Sequence, residues 1–540
     1  MQPDLILFNG RFHTMEPSRP MADAVVIRDG RFLYVGSEPG ARAAAGGAPG
    51  VMDLRGRCVL PGLTDAHLHF RWYAESLRAV DVETGTLEEA AARVRARAEA
   101  AKPGAWITGT GWNHNVWGAG ALPDLRPLDR AAPRNPVALK SKSGHALWAN
   151  SLALEKAGVR PDTPDPEAGK ICRGSDGMPS GVLLENAMDL VQAAIPAPSA
   201  RELAEMMLHA QEAAHAAGLT GIHDFDSSLA LQAFLDLEAR GRLALRVVKG
   251  IPHENLSAAI DLGLRSGFGN DLLSLGQVKM FSDGALGPQT AWMLVPYEGA
   301  GSTGIPLLTE EQMFDDIRRA NAAGIGCAVH AIGDAACRAV LNAYQRAEQA
   351  TGKVTGATVA AGAPGAAPRN RIEHVQLLHP DDIARPAALG IVASMQPIHA
   401  TSDMLIAERH WGARCSFAYA WRSLLETGTA LAFGSDCPVE VPDPLAGIHA
   451  AVTRRRADGS PGPEGWRPEQ RLSVEQAVRA YTAGPAYAAG RERDLGSVAQ
   501  GKLADLTVLD TDIFSMEPHE IRAVKPAATM VGGRIVYGAL

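Results

Sequence analysis

His67 and His69 stand one residue apart at the end of the apolar stretch LPGLTDAHLHF (60–70). In a strand, side chains two residues apart share a face, so the two imidazoles would project together. Val59, Leu60 and Leu63 are strand material leading up to them. Two imidazoles on one side can hold one metal ion. The chain has 16 histidines, so such a pair gains weight only from what other strands carry. Four more ionisable residues lie inside or at the ends of apolar runs, where an unpartnered polar group is costly. They are Lys279 in QVKMFSDGALG, His330 in AVHAIGD, His374 in RIEHVQ and Asp436 in FGSDCPV. Each alone has an ordinary explanation: a satisfied core histidine, a snorkelling lysine, an aspartate capping a helix. Taken together, the six residues form a ligand set for two metal ions.

Such residues need a frame that brings distant segments to one place. Strand candidates fall at 58–67, 219–226, 243–251, 274–281, 325–332, 370–378, 391–397 and 430–436. Helical patterns alternate with them, several opened by capping boxes: Thr86 with Glu89, Ser199 with Glu202, Thr309 with Gln312 and Ser473 with Gln476. Eight strands alternating with helices predict an α/β fold, a (β/α)8 TIM barrel, whose chemistry sits at the C-terminal strand ends. The six residues then fall on strands one, four, five, six and eight. The link from His69 to about residue 218 is too long for one helix and loop. It predicts an inserted lid subdomain at about 71–215, over the barrel mouth. Residues 24–36 (AVVIRDGRFLYVG) and 527–538 (AATMVGGRIVYG) both read as hairpins. Residues 1–58 and 494–540 are therefore expected to form one small β domain from both termini, with the barrel at 59–493. The low-complexity stretch at 355–370 reads as a mobile loop before the sixth strand.

Composition narrows the function classes. The chain has 540 residues, a formal charge of −8 and 46 % hydrophobic residues, which supports a large core and argues against disorder. The one basic cluster, TRRRADG (453–459), is isolated, so no nucleic-acid surface is expected. Six scattered cysteines without a C-x-x-C pattern suggest neither a zinc ribbon nor a disulfide framework. MQPDLILFNG lacks the features of a signal peptide, and no apolar run reaches membrane-spanning length. The expectation is a soluble cytoplasmic protein that acts on a small molecule and binds neither nucleic acid nor membrane, with a homodimer allowed for.

These motifs, together with GTGWNHNVW (109–117), GHALWANS (144–151), SMQPIHATSDM (394–404) and LAFGSDCPVE (431–440), resemble the amidohydrolase superfamily. More closely they resemble its amidohydrolase-3 branch, which includes N-substituted formamide deformylase and YtcJ-like hydrolases. The resemblance covers nearly the whole chain. It implies a metal-dependent hydrolase with a composite β-sandwich beside the barrel, acting on an amide-type C–N bond. The N-acyl or N-formyl amines and cyclic amides are the substrates in view. It also implies two divalent ions held by His67, His69, Lys279, His330, His374 and Asp436. Zinc suits this donor mix, with manganese or iron as alternatives. Lys279 would be carboxylated on its ε-amine to bridge the ions, and Asp436 would be general base and then general acid. His145, in the retained GH motif, would contact the substrate carbonyl. Trp112, His114, Gln289, Gln396, His399 and Trp411 are the further substrate-side candidates. Ser143, Pro288, Gln289 and Cys437 depart from the family's usual residues without touching a metal ligand. A mononuclear deaminase is the nearest rival, disfavoured by Gly333 where those enzymes carry a glutamate. A non-catalytic protein on the same fold is the other, and the presence of all six ligands speaks against it.

Overall fold

Residues 5–45, 49–117, 122–351 and 369–540 are described by the computed structural model. Packing divides the chain into two compact units, Ala74–Met206 and the rest. In the larger unit, eight strands pair in chain order: β1 (Leu63–Leu68), β2 (Leu219–Asp224), β3 (Arg246–Pro252), β4 (Leu273–Phe281), β5 (Cys327–Ala331), β6 (Arg371–His374), β7 (Val392–Met395) and β8 (Leu431–Phe433). Every neighbouring pair is parallel. Both faces of such strands are covered, which is why they read as unbroken apolar runs. β4 is buried along all but its last residue.

The ring closes through the residues just beyond β8. Asp436 N–H donates to His67 O at 2.7 Å, and His69 N–H donates to Cys437 O at 2.8 Å. Asp65 reinforces this seam by accepting from the backbone N–H of His67 and of Ser435, each at 3.0 Å. Gly434 makes the approach feasible. A Cβ there would lie 2.5 Å from His67 N and 2.6 Å from Asp65 Oδ1. Gly434→Ala should therefore push β8 off β1, at about the 1–3 kcal/mol typical of overpacking. A lowered thermal midpoint is the expected result, and an unchanged midpoint would contradict it.

Residues 58–67 do not form the single strand expected from their apolar run. Cys58–Pro61 instead joins a terminal sheet, parallel to Arg11–His13 and antiparallel to Leu506–Leu509. The chain changes sheets at Gly62, where a Cβ would lie 2.2 Å from Thr220 Oγ1, so only a residue without a side chain fits. That terminal sheet has six strands, three from each end of the chain. A four-stranded sheet built from residues 5–53 accompanies it. The two share one apolar cluster that includes Leu7, Phe12, Phe32, Val508 and Met530.

The smaller unit is a six-stranded sheet with the helix Leu87–Ala100 against it. Its core holds Trp112 and Trp148, with Trp117 packed on them. Helix starts follow their local chemistry. Thr309 with Gln312 and Ser473 with Gln476 make full capping boxes. Ser199 and Glu202 exchange reciprocal bonds, and Thr86 accepts from Glu89 N–H. Most of the low-complexity stretch expected to be a loop lies outside the described residues. Among the described residues no helix is long and apolar enough to cross a membrane.

Candidate metal centre

The C-terminal ends of the barrel strands bring the six candidate ligands together. Asp436 Oδ1 lies 3.6 Å from His67 Nε2 and 3.4 Å from His69 Nε2. Donor atoms of these three residues all fall within 4.8 Å of one another. Lys279, late in β4, places Nζ 3.4 Å from His67 Nε2. The His374 ring centroid is 4.9 Å from that of His67 and 4.5 Å from that of His330. His374, Asp436 and His399 form a second compact donor group, with His399 Nε2 3.3 Å from Asp436 Oδ2. His399 comes from the helix Pro397–Trp411 rather than from a strand. Its sequence position suggested a substrate contact; the fold places it among the donors. A third donor group, His13, Cys58 and Asp512, lies in the terminal-sheet region, where the Arg11 guanidinium already sits 3.1 Å from Asp512.

Each of the four strand-borne histidines has one ring nitrogen occupied by an acceptor. His67 Nδ1 meets Glu373 Oε2 at 2.5 Å, and His69 Nδ1 meets Asp226 Oδ1 at 3.4 Å. His330 Nε2 meets Gly284 O at 2.9 Å, and His374 Nδ1 meets Gln396 Oε1 at 2.9 Å. Such outward partners fix ring orientation and tautomer in metal sites. The free Nε2 atoms of His67 and His69 both face Asp436 Oδ1. Glu373 and Asp226 were not among the sequence candidates. The available signal for Glu373 was Arg371 two residues earlier, an opposite charge on the same face of a buried strand.

Backbone strain accompanies the site. His374 (φ 76°), Val375 (φ 45°) and Asp436 (φ 58°) all occupy the left-handed region. That conformation is an outlier for a β-branched residue, and strain of this kind collects at functional positions. Here it turns His374 and Asp436 out of strand alternation at the strand ends.

Burial sets the electrostatics. It lowers the Lys279 amine to about 8, against the opposing pull of Glu373 and Asp436. Burial and the Lys279 charge bring His67 down to about 4 and His330 to about 3. For His69 the burial penalty is outweighed by the hydrogen bonds its ring donates to Asp226 and Asp436, and it rises to about 9. Burial alone would raise Asp436; hydrogen bonds from His399 and His69 overcome it and hold the carboxyl well below its usual range. The pocket therefore combines neutral imidazoles at His67, His330 and His374 with an ionised Asp436 carboxylate. The same carboxylate and its neighbours raise His69 to about 9 and His399 to about 10, so both would have to give up a proton to ligate a metal.

The remaining sequence candidates are spread more widely. Gln396 is buried, and its Nε2 has no hydrogen-bond partner. Gln289 is half-buried in the turn after β4 with φ 56°. In the smaller unit, His145 is exposed and pairs with Glu185 at 3.0 Å, and His114 is half-buried near Trp112. Trp112, expected on the substrate side, packs in the smaller unit's apolar core, and Trp411, expected there too, is buried with its indole N–H unpartnered. Trp112 is 1 % exposed, and its indole N–H donates to Leu139 O. Trp411 is fully buried at the end of its helix. A tryptophan's large apolar area makes packing its usual role. Of the departures from the family pattern, Cys437 is buried at the barrel seam and Ser143 is exposed in the smaller unit.

A family model described as the amidohydrolase family matches residues 50–537. Putative amidohydrolase YtcJ from Bacillus subtilis (strain 168) is 32 % identical over 542 residues, spanning 98 % of this chain and 99 % of its own. N-substituted formamide deformylase from Arthrobacter pascens is 28 % identical over 550 residues, spanning 99 % and 98 %. Among solved structures, an uncharacterized metal-dependent hydrolase from Pyrococcus furiosus aligns with a TM-score of 0.79 at 28 % identity, covering 95 % of this chain and all of that one.

Proposed function

Because the chain belongs to the amidohydrolase family, we propose that it is a metal-dependent hydrolase that cleaves an amide-type C–N bond. The substrate would be an N-formyl or N-acyl amine, or a cyclic amide. The observation that carries this reading is the convergence of His67, His69, His374 and His399 on Asp436, with Lys279 against His67 and His330 against His374. Imidazole nitrogens with carboxylate oxygens suit zinc first and manganese or iron next. The unpartnered Nε2 of buried Gln396 fits a pocket whose polar contents come from outside the chain. His67, His69 and Asp436 would hold one ion and His330 with His374 a second, with Lys279 between them.

Divalent ions held there would supply Lewis acidity, acidifying water and polarising the scissile carbonyl. The chain's own groups would do the rest. Asp436 takes a proton from the attacking water and returns it to the leaving nitrogen. His399, against Asp436 Oδ2, holds that carboxylate in orientation. Lys279, with its amine lowered to about 8 by burial, keeps a neutral fraction at ordinary pH. That neutral amine adds to the carbon of CO2 and gives up a proton, so that a carbamate anion replaces an ammonium. Gln396 Nε2 would donate to the substrate oxygen. In this reading the terminal sheets form a composite sandwich.

The direct test is a substrate panel on protein loaded with Zn2+: N-formyl amines, N-acyl amines, cyclic amides and matched esters. Amine release from one of the amide classes is the expected result. Ester turnover with every amide inert would sink the C–N assignment.

A further inference from the structure

Glu373 is fully buried beneath the candidate ligands, with Oε2 2.5 Å from His67 Nδ1. A carboxylate at that depth needs a partner and further hydrogen bonds. Arg371 supplies both from the same strand. Its Nε donates to Glu373 Oε1 and its Nη2 to Glu373 Oε2. The same guanidinium is fixed on three other strands. Nη2 also donates to Ala66 O, the carbonyl preceding His67 on β1, at 2.7 Å and to Ser394 Oγ on β7 at 2.5 Å. Nη1 donates to His223 Nδ1 on β2 at 2.9 Å. One buried fork thus ties β1, β2, β6 and β7 together and sets the carboxylate that receives His67.

This arrangement exceeds what packing requires. His374 is oriented by a neutral amide oxygen, and His330 by a backbone carbonyl at 2.9 Å with the Asp283 carboxylate farther off at 3.5 Å. His67 instead receives a carboxylate clamped at both oxygens. Its partner nitrogen, Nε2, faces Lys279 Nζ and Asp436 Oδ1. On the reading of this pocket as a metal centre, we propose that Glu373 is the positioning residue for His67. By accepting the Nδ1 hydrogen it fixes the tautomer whose Nε2 lone pair faces the metal, and Arg371 holds Glu373 in register for that task. A charged acceptor also makes the imidazole a stronger donor than a neutral one would.

The test reads metal binding rather than turnover. Metal-free protein is titrated with Zn2+ against a chromophoric chelator, and the visible spectrum of the Co2+-loaded form is recorded. Glu373→Gln should weaken Zn2+ binding by about 10–100-fold, the range for loss of an orienting partner, and should shift the Co2+ bands. Glu373→Asp keeps the charge but falls one methylene short, and should show the same direction of change. A second measurement needs no variant at Glu373. In metal-free wild type carrying 15N-histidine, the His67 signal, assigned by its absence from His67→Asn, should show the proton on Nδ1. A folded Glu373→Gln with wild-type Zn2+ affinity and Co2+ spectrum would overturn the proposal. So would a His67 protonated on Nε2 in the metal-free protein. Wild type that binds no Zn2+ at all would instead remove the metal-centre reading, and this role with it.

Discussion

Asp436→Asn is expected to retain metal near the wild-type level and to lose turnover by about 10²–10⁴, the usual contribution of a positioned acid–base group. Asparagine keeps the shape and one oxygen of the carboxylate. It cannot accept a proton from water and return it to a leaving nitrogen. The geometry explains why no neighbour should substitute. Oδ1 faces His67 and His69, whose free nitrogens belong to the proposed ion, and Oδ2 is engaged by His399. The left-handed backbone at Asp436 holds the side chain there, so a replacement cannot drift to another rotamer without losing those contacts. The measurement is kcat on the best amide substrate, beside metal stoichiometry for both proteins. A rate close to wild type would take Asp436 out of the mechanism.

Lys279→Ala should lose metal and activity together. The amine is buried between the rings of Phe225 and Phe281, with Nζ 5.0 Å and 4.9 Å from their centroids. An ammonium in that place would repel two nearby dications where little water screens the charge. Carboxylation would replace the cation with an anion offering two oxygens, and removal of the side chain would then remove a shared ligand. Acetate or formate should restore part of both metal content and rate by entering the vacated space. Lys279→Arg should not respond, because its guanidinium stays charged and fills that space. Loss of activity from Lys279→Ala with full metal content would contradict the bridging role.

Much of this site was legible in the chain itself, because strand period and burial act on each residue locally. An H-x-H pair at a strand end puts two rings on one side whatever surrounds it. Lys279, His330, His374 and Asp436 stood out because ionisable groups are rare within apolar runs. What escaped depends on contacts through space. The split of 58–67 turns on Thr220, more than 150 residues away, which leaves no room for a side chain at Gly62. Glu373 and Asp226 became partners of His67 and His69 only when strands distant in sequence were set side by side. His399 reads as one polar residue in a helix until that helix is placed against Asp436. Trp112 and Trp411 show a different limit: both are buried, and tryptophan serves cores and pockets alike, so its spacing does not say which.

The central claim, a two-metal hydrolytic centre on Asp436, is tested most directly by elemental analysis of purified active protein, before and after a strong chelator. About two divalent transition-metal ions per chain should be found, and their removal should abolish activity that Zn2+, Mn2+ or Fe2+ then restores. Fully active protein with no transition metal would contradict the account.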